Sequence, residues 1–273
     1  MLKLKKLTYI FTFLSFLTYF SQANAEIKVV ASIKPIHSLA SYLMDGVKKP
    51  DLIVDGYASP HGFAMKPSHA KMLQEADLIF WVGEDIESFL VKPLGSIAKK
   101  AEKIELMEIK GIKKLKFRER NIFDGHDDHG HKEDDHDDHA KKEDGHDDHD
   151  HDKDEHKEDG HDDHGHEGHA HGEFDPHIWL DPLNAKKILK EMAKHLIEND
   201  QANESIYKEN LKKANKDLDK LVKQVKSELN KDFKSIVFHD AYQYFEKRFK
   251  VNVLGAFTVN TDVLPGAEQL SEI

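Results

Sequence analysis

Fourteen of the chain's twenty histidines fall between His126 and His171, mixed with twenty Asp or Glu and only five Lys. Imidazole and carboxylate together suit zinc, nickel, copper and cobalt, and a His-rich tract is a compositional sign of metal binding. The stretch from 124 to 172 has almost no apolar residue to bury, so nothing offsets the entropy of ordering its backbone. It is expected to be a disordered loop that collects metal weakly through many interchangeable ligand sets. A solvated acidic linker with incidental histidines is the plainer reading, but it needs no histidine every few residues. A selective site has to come from the folded parts on either side.

Six histidines lie outside the tract: His37, His61, His69, His177, His195 and His239. His61 sits in SPHGF, in a loop after an expected strand. His177 sits in DPHIW, just past the acidic tract, and His239 ends the expected strand SIVFHD. These are places where a loop leaves a strand or enters a helix, which is where α/β folds keep their ligands. Three neutral imidazoles suit zinc and leave one position for water or a carboxylate. A lone histidine at a strand end is otherwise a capping or packing residue. His37, His69 and His195 fall in helical patterns and read as surface or partly packed residues. Asp175, Asp181, Asp240 and Asp262 lie near the trio or in the same half of the chain. Each also reads as an N-cap, a turn residue or a partner orienting an imidazole, and Asp240 reads least well as a direct ligand.

The elements that must position these residues follow an α/β rhythm. IKVVASI, PDLIVDG, LIFWVG and KIELMEI read as strands separated by helical patterns, which implies a mainly parallel sheet covered by helices. Asp181-Pro182 opens a helix to about residue 197, as an N-cap followed by proline at the first helical position. A longer helix runs from roughly Glu204 to Leu229. Its single stripe is Tyr207, Leu211, Ala214, Leu218, Leu221, Val225 and Leu229, on a rod of about 39 Å. It reads as a strut between two lobes. Beyond it, SIVFHD and VNVLGAFTV flank one helix, and two strands are too few for a parallel domain, so this second lobe reads as incomplete.

The expected organisation is therefore an export signal over 1–25, a first lobe over 26–123, and the His/acid tract over 124–172. A return to the first lobe follows over 173–202, then the linking helix over 203–230 and a second lobe over 231–273. The export signal rests on Lys3, Lys5 and Lys6 before the apolar run LTYIFTFLSFLTYF and the small-residue site Ala23-Asn24-Ala25. The formal charge of −11 is concentrated in residues 126–171, which carry −15, so the remainder is nearly neutral and no nucleic-acid partner is expected. The chain has no cysteine, which excludes thiolate ligands and disulfides.

Several long stretches carry a family resemblance. They are ASIKPIHSLASYLM, GYASPHGFAMKPSHAKMLQEADLIFWVG, HIWLDP, VFHDAYQYFEKRF, GAFTVN and PGAEQLSEI, in that order, with a His- and acid-rich insertion between the second and third. With them the chain resembles the periplasmic zinc-binding proteins of high-affinity ABC importers, within the metal-binding cluster of solute-binding proteins. The resemblance implies two α/β lobes joined by a rigid helix, with the metal held between them on His61, His177 and His239. It also implies a monomeric carrier, located in the periplasm, that delivers Zn2+ to an inner-membrane ABC permease and is not an enzyme. The sister manganese and iron group uses a Glu where this chain has His239, which favours zinc. Some family members carry a Glu just before the first ligand; here that position is Pro60, so the fourth ligand is expected to be water or a side chain from elsewhere. Affinity is expected to fall as pH drops through about 6.5, where free imidazole protonates. Two other readings remain: a zinc-dependent hydrolase, and a periplasmic zinc buffer without a transporter partner.

Overall fold

The computed structural model describes residues 26–118, 172–230 and 232–258. The export signal, the body of the His/acid tract and Asp262 lie outside these residues.

Short runs of apolar residues make the first sheet. β1 (Val29–Ala31) and β3 (Leu78–Trp81) are buried at every position. Unbroken apolar strands of this kind belong in parallel sheets covered on both faces. β2 (Asp51–Leu52) and β4 (Glu102–Glu105) flank them, in the order β2-β1-β3-β4, and every pairing is parallel. The second expected strand is shorter than PDLIVDG suggests. Ile53 and Val54 still follow the sheet edge through backbone bonds to Ala31 and Ser32, but the chain then turns away at Asp55-Gly56. Gly56 has φ +72°, a conformation costly for any residue with a side chain.

The helices follow the sequence closely. α1 (Lys34–Leu43) carries Pro35 in its first turn and buries Ile36, Ala40 and Leu43. At the start of α2 (Pro67–Glu75) the Lys66 backbone N–H donates to His69 Nδ1, while the His69 N–H donates to the Lys66 carbonyl. α3 (Glu84–Ser96) kinks at Glu87, whose backbone leaves the helical region. The Glu87 side chain is fully buried and accepts from Ser32 Oγ and from the backbone N–H groups of Val82 and Gly83. Burial pushes its carboxyl up to about 7 despite those donors. The kink is thus the backbone's adjustment to a carboxylate placed where the ends of β1 and β3 meet.

α4 (Pro182–Asn199) begins with Asp181 accepting from the Leu183 N–H. α5 (Glu204–Glu228) spans 25 residues, about 38 Å at the usual helical rise. Its stripe is used unevenly. Tyr207 and Ala214 are buried, and Leu211 and Leu218 pack partly against the core, alongside α1 and α4. Leu221 is exposed. Tyr207 also donates to Asp200 Oδ2 at 2.7 Å, and Asn210 donates to the Leu43 and Asp45 carbonyls, tying this helix to the end of α1.

After α5, β5 (Lys234–His239) pairs in parallel with β6 (Asn252–Thr258), with α6 (Gln243–Phe249) between them in sequence. The two strands form a separate sheet from the first four. The α/β architecture with parallel sheets read from the sequence is what the structure has.

The uneven packing of α5 sets a stability contrast. Tyr207→Ala removes a fully buried ring and its hydrogen bond, and should lower unfolding free energy by about 3–5 kcal/mol in a urea titration. Leu221→Ala should change it by no more than about 0.5 kcal/mol.

Candidate metal centre

His61, His177 and His239 converge, although 178 residues separate the first from the last. Each offers a ring nitrogen, and the three ligating atoms lie within 4.8 Å of one another. His239 Nε2 and His177 Nε2 are 3.3 Å apart. Two nitrogens on a tetrahedral zinc at ~2.05 Å would be separated by ~3.3 Å, so that pair already has the required edge. The third ring lies 6.2 Å from His177 and 5.6 Å from His239 between centroids.

Each imidazole is held by different means. His177 precedes a single 3-10 turn (Ile178–Leu180) leading into α4. Its backbone N–H and its Nδ1 both reach Asp175 Oδ1, at 2.9 and 2.7 Å. A carboxylate only accepts, so Nδ1 carries the proton and Nε2 presents its lone pair toward His239. Asp175 is fully buried and is itself fixed by its backbone: its N–H donates to the Leu115 carbonyl, and its carbonyl accepts from the Tyr244 hydroxyl. That hydroxyl in turn accepts from the Leu115 N–H, closing a small network across the two sheets.

His239 ends β5, where its backbone is held in register opposite Thr258. Its Nδ1 is buried without a well-aligned hydrogen bond. Burial, then the neighbouring His177 and His61, push this imidazole down to about 4. It is therefore neutral through the whole physiological range, which is the state a metal requires. His61 stands in the loop from Asp55 to Lys66, in which no residue is buried.

The surrounding carboxylates are committed elsewhere. Asp240 and Glu246 share Arg118, at 3.1 and 2.6 Å. Burial pushes the Asp240 carboxyl up to about 6, with Arg118 pulling against it, and pushes Glu246 up as well. Asp181 caps α4 and also accepts two bonds from Arg248, at 2.7 and 2.5 Å. Among the described residues, no carboxylate joins the three histidines as a fourth ligand. Sequence reasoning placed Asp175 and Asp181 as partners or caps, and Asp240 away from the metal; it did not single out Arg118, Tyr244, Glu246 or Arg248. Nothing in the sequence marks these four, because isolated arginines and tyrosines on helical patterns occur on any surface.

Known proteins show which family the chain falls in. Residues 29–273 match the family described as "Zinc-uptake complex component A periplasmic". A high-affinity zinc uptake system protein ZnuA of Brucella abortus (strain 2308) is 45% identical over 255 residues, covering 93% of this chain and 74% of that protein. The protein of the same description from Yersinia pestis is 34% identical, covering 91% and 71%. Among solved structures, the Streptococcus pneumoniae AdcAII protein superposes with a TM-score of 0.63 at 19% identity, covering 92% of this chain and 75% of that one.

The network behind His177 makes a direct prediction. Asp175→Asn should weaken zinc binding at the three histidines by about 10–100-fold. Competition with a chromophoric chelator measures it, and unchanged affinity would remove Asp175 from the orienting role.

Proposed function

From a chain that belongs to the periplasmic zinc-uptake complex component A family, we propose a carrier that captures Zn2+ on His61, His177 and His239 and delivers it to an ABC permease in the inner membrane. The observation that carries this reading is the 3.3 Å approach of two imidazole nitrogens, one with its proton fixed on the far side of the ring. Zinc is the cargo. Three neutral imidazoles and one open position suit it better than manganese, which favours carboxylate and carbonyl oxygen. Closing the site asks His61 to move by no more than about 1.5 Å, the difference between the present spacing and a tetrahedral edge.

Residues 26–118 and 172–202 read as one lobe and 232–258 as part of a second, with α5 as the link; the packing of α5 on α1 and α4 supports the first half of that division. The export signal at 1–25 fits a periplasmic location. The His/acid tract reads as a weak collector that raises local metal concentration. The chain performs no chemistry in this reading. Asp175 is engaged with His177, and Asp240 and Glu246 with Arg118, so each of these nearby carboxylates already has a structural partner.

Zinc calorimetry on protein lacking residues 126–171, beside His61→Ala, His177→Ala and His239→Ala in the same background, tests the assignment. The deletion should keep one tight site, and each substitution should weaken it by about a hundredfold or more. A deletion protein without a tight site would move the function to the tract. Proton counting adds an independent check. His239 carries no proton above about pH 5, so zinc should displace no more than two protons from the trio at about pH 5.5. Calorimetry in buffers of different ionisation enthalpy reads that number, and three protons would contradict it.

A further inference from the structure

We propose a second zinc site on Glu102, His195 and Glu198, built on the first lobe and independent of the three-histidine centre. Their ligating atoms also lie within 4.8 Å of one another. His195 Nδ1 is 2.8 Å from Glu102 Oε1 and 3.5 Å from Glu198 Oε2, distances that bracket a tetrahedral N–O edge of about 3.3 Å.

The arrangement comes from two elements. Glu102 opens β4, and His195 and Glu198 stand three residues apart near the end of α4, on one helical face. Asn199 Nδ2 donates to Glu102 Oε2 at 2.8 Å, which occupies that oxygen and leaves Oε1 toward the imidazole. The opposite ring nitrogen, His195 Nε2, is 3.2 Å from Glu191 Oε1, the carboxylate–imidazole arrangement that supports a metal-bound histidine from behind.

Two features separate this cluster from an ordinary surface ion pair. His195 Nδ1 is buried and, despite the 2.8 Å approach, makes no aligned hydrogen bond to either carboxylate. The side chain is only 13% exposed, so that nitrogen is desolvated between two carboxylate oxygens without an aligned hydrogen bond, a cost that a bound cation would remove. The site also lies in the last turn of α4, where the helix carbonyls favour positive charge. Along α4, His195 stands about 20 Å from Asp181, which caps the other end near the three-histidine centre. One imidazole and two carboxylates should bind zinc more weakly than three imidazoles. Glu102 is 41% and Glu198 53% exposed, so ordering them opposes binding.

Histidine C2-hydrogen exchange, read by mass spectrometry on peptides of the full chain, tests the site under buffered free zinc. Buffering fixes the free ion whatever the tract absorbs, and peptide resolution separates His195 from the other histidines. Zinc at ten times the dissociation constant should slow His195 exchange by about tenfold. The Glu102→Gln/Glu198→Gln double variant, changed only at exposed positions, should lose that slowing. Magnesium should not reproduce it, since that ion takes oxygen ligands. His195 unaffected by zinc, equal slowing in the double variant, or equal slowing by magnesium would each overturn the proposal. His177 exchange in the same digest reports the three-histidine centre separately, so one site can fail without the other.

Discussion

An imidazole can give a lone pair to a metal only if its proton is kept on the other nitrogen, and at His177 that task falls to one buried carboxylate. Asp175 Oδ1 receives both the backbone N–H and the Nδ1–H of His177. Around Asp175 the chain closes a ring of bonds: Leu115 to Asp175, Asp175 to Tyr244, and Tyr244 back to Leu115. Tyr244 belongs to α6, beyond the long helix, while Leu115 and Asp175 flank the His/acid tract in the sequence. Orientation of one ring thus depends on three distant stretches being folded together.

The charges near the centre follow from the same burial. Asp181 and Asp240 are each met by an arginine that comes from elsewhere in the chain. A buried carboxylate left unpaired would be costly or would hold a proton; Arg118 offsets this only in part at Asp240, where burial still pushes the carboxyl up to about 6. Desolvation of His239 disfavours the proton that would compete with a cation at that nitrogen.

Much of this was readable in the residues. Alternation of apolar runs with helical stripes gave the α/β class, Asp181-Pro182 marked the start of α4, and the stripe from Tyr207 located α5 within a residue of its end. His61, His177 and His239 stood out because each sits where a strand or turn ends. What stayed hidden depends on three-dimensional neighbours. The shortness of β2 comes from a backbone turn at Gly56, and the kink at Glu87 from a carboxylate trapped between strand ends. His195 read as a surface or partly packed helical residue, since helical spacing reveals Glu191 and Glu198 but not Glu102, which arrives from β4.

The three segments that carry the proposed ligands differ in how firmly they are anchored. His177 is bonded on two sides and His239 is locked into a strand register, whereas His61 rides on a loop with no buried residue between Asp55 and Lys66. Phe63 and Met65 of this loop pack only partly against the core, so it opens at a smaller cost than unfolding either sheet. The centre is built like a jaw with two fixed teeth and one sprung one. Entry and escape of an ion can then be governed by a dozen residues of backbone, at rates that leave the ion-paired scaffold undisturbed.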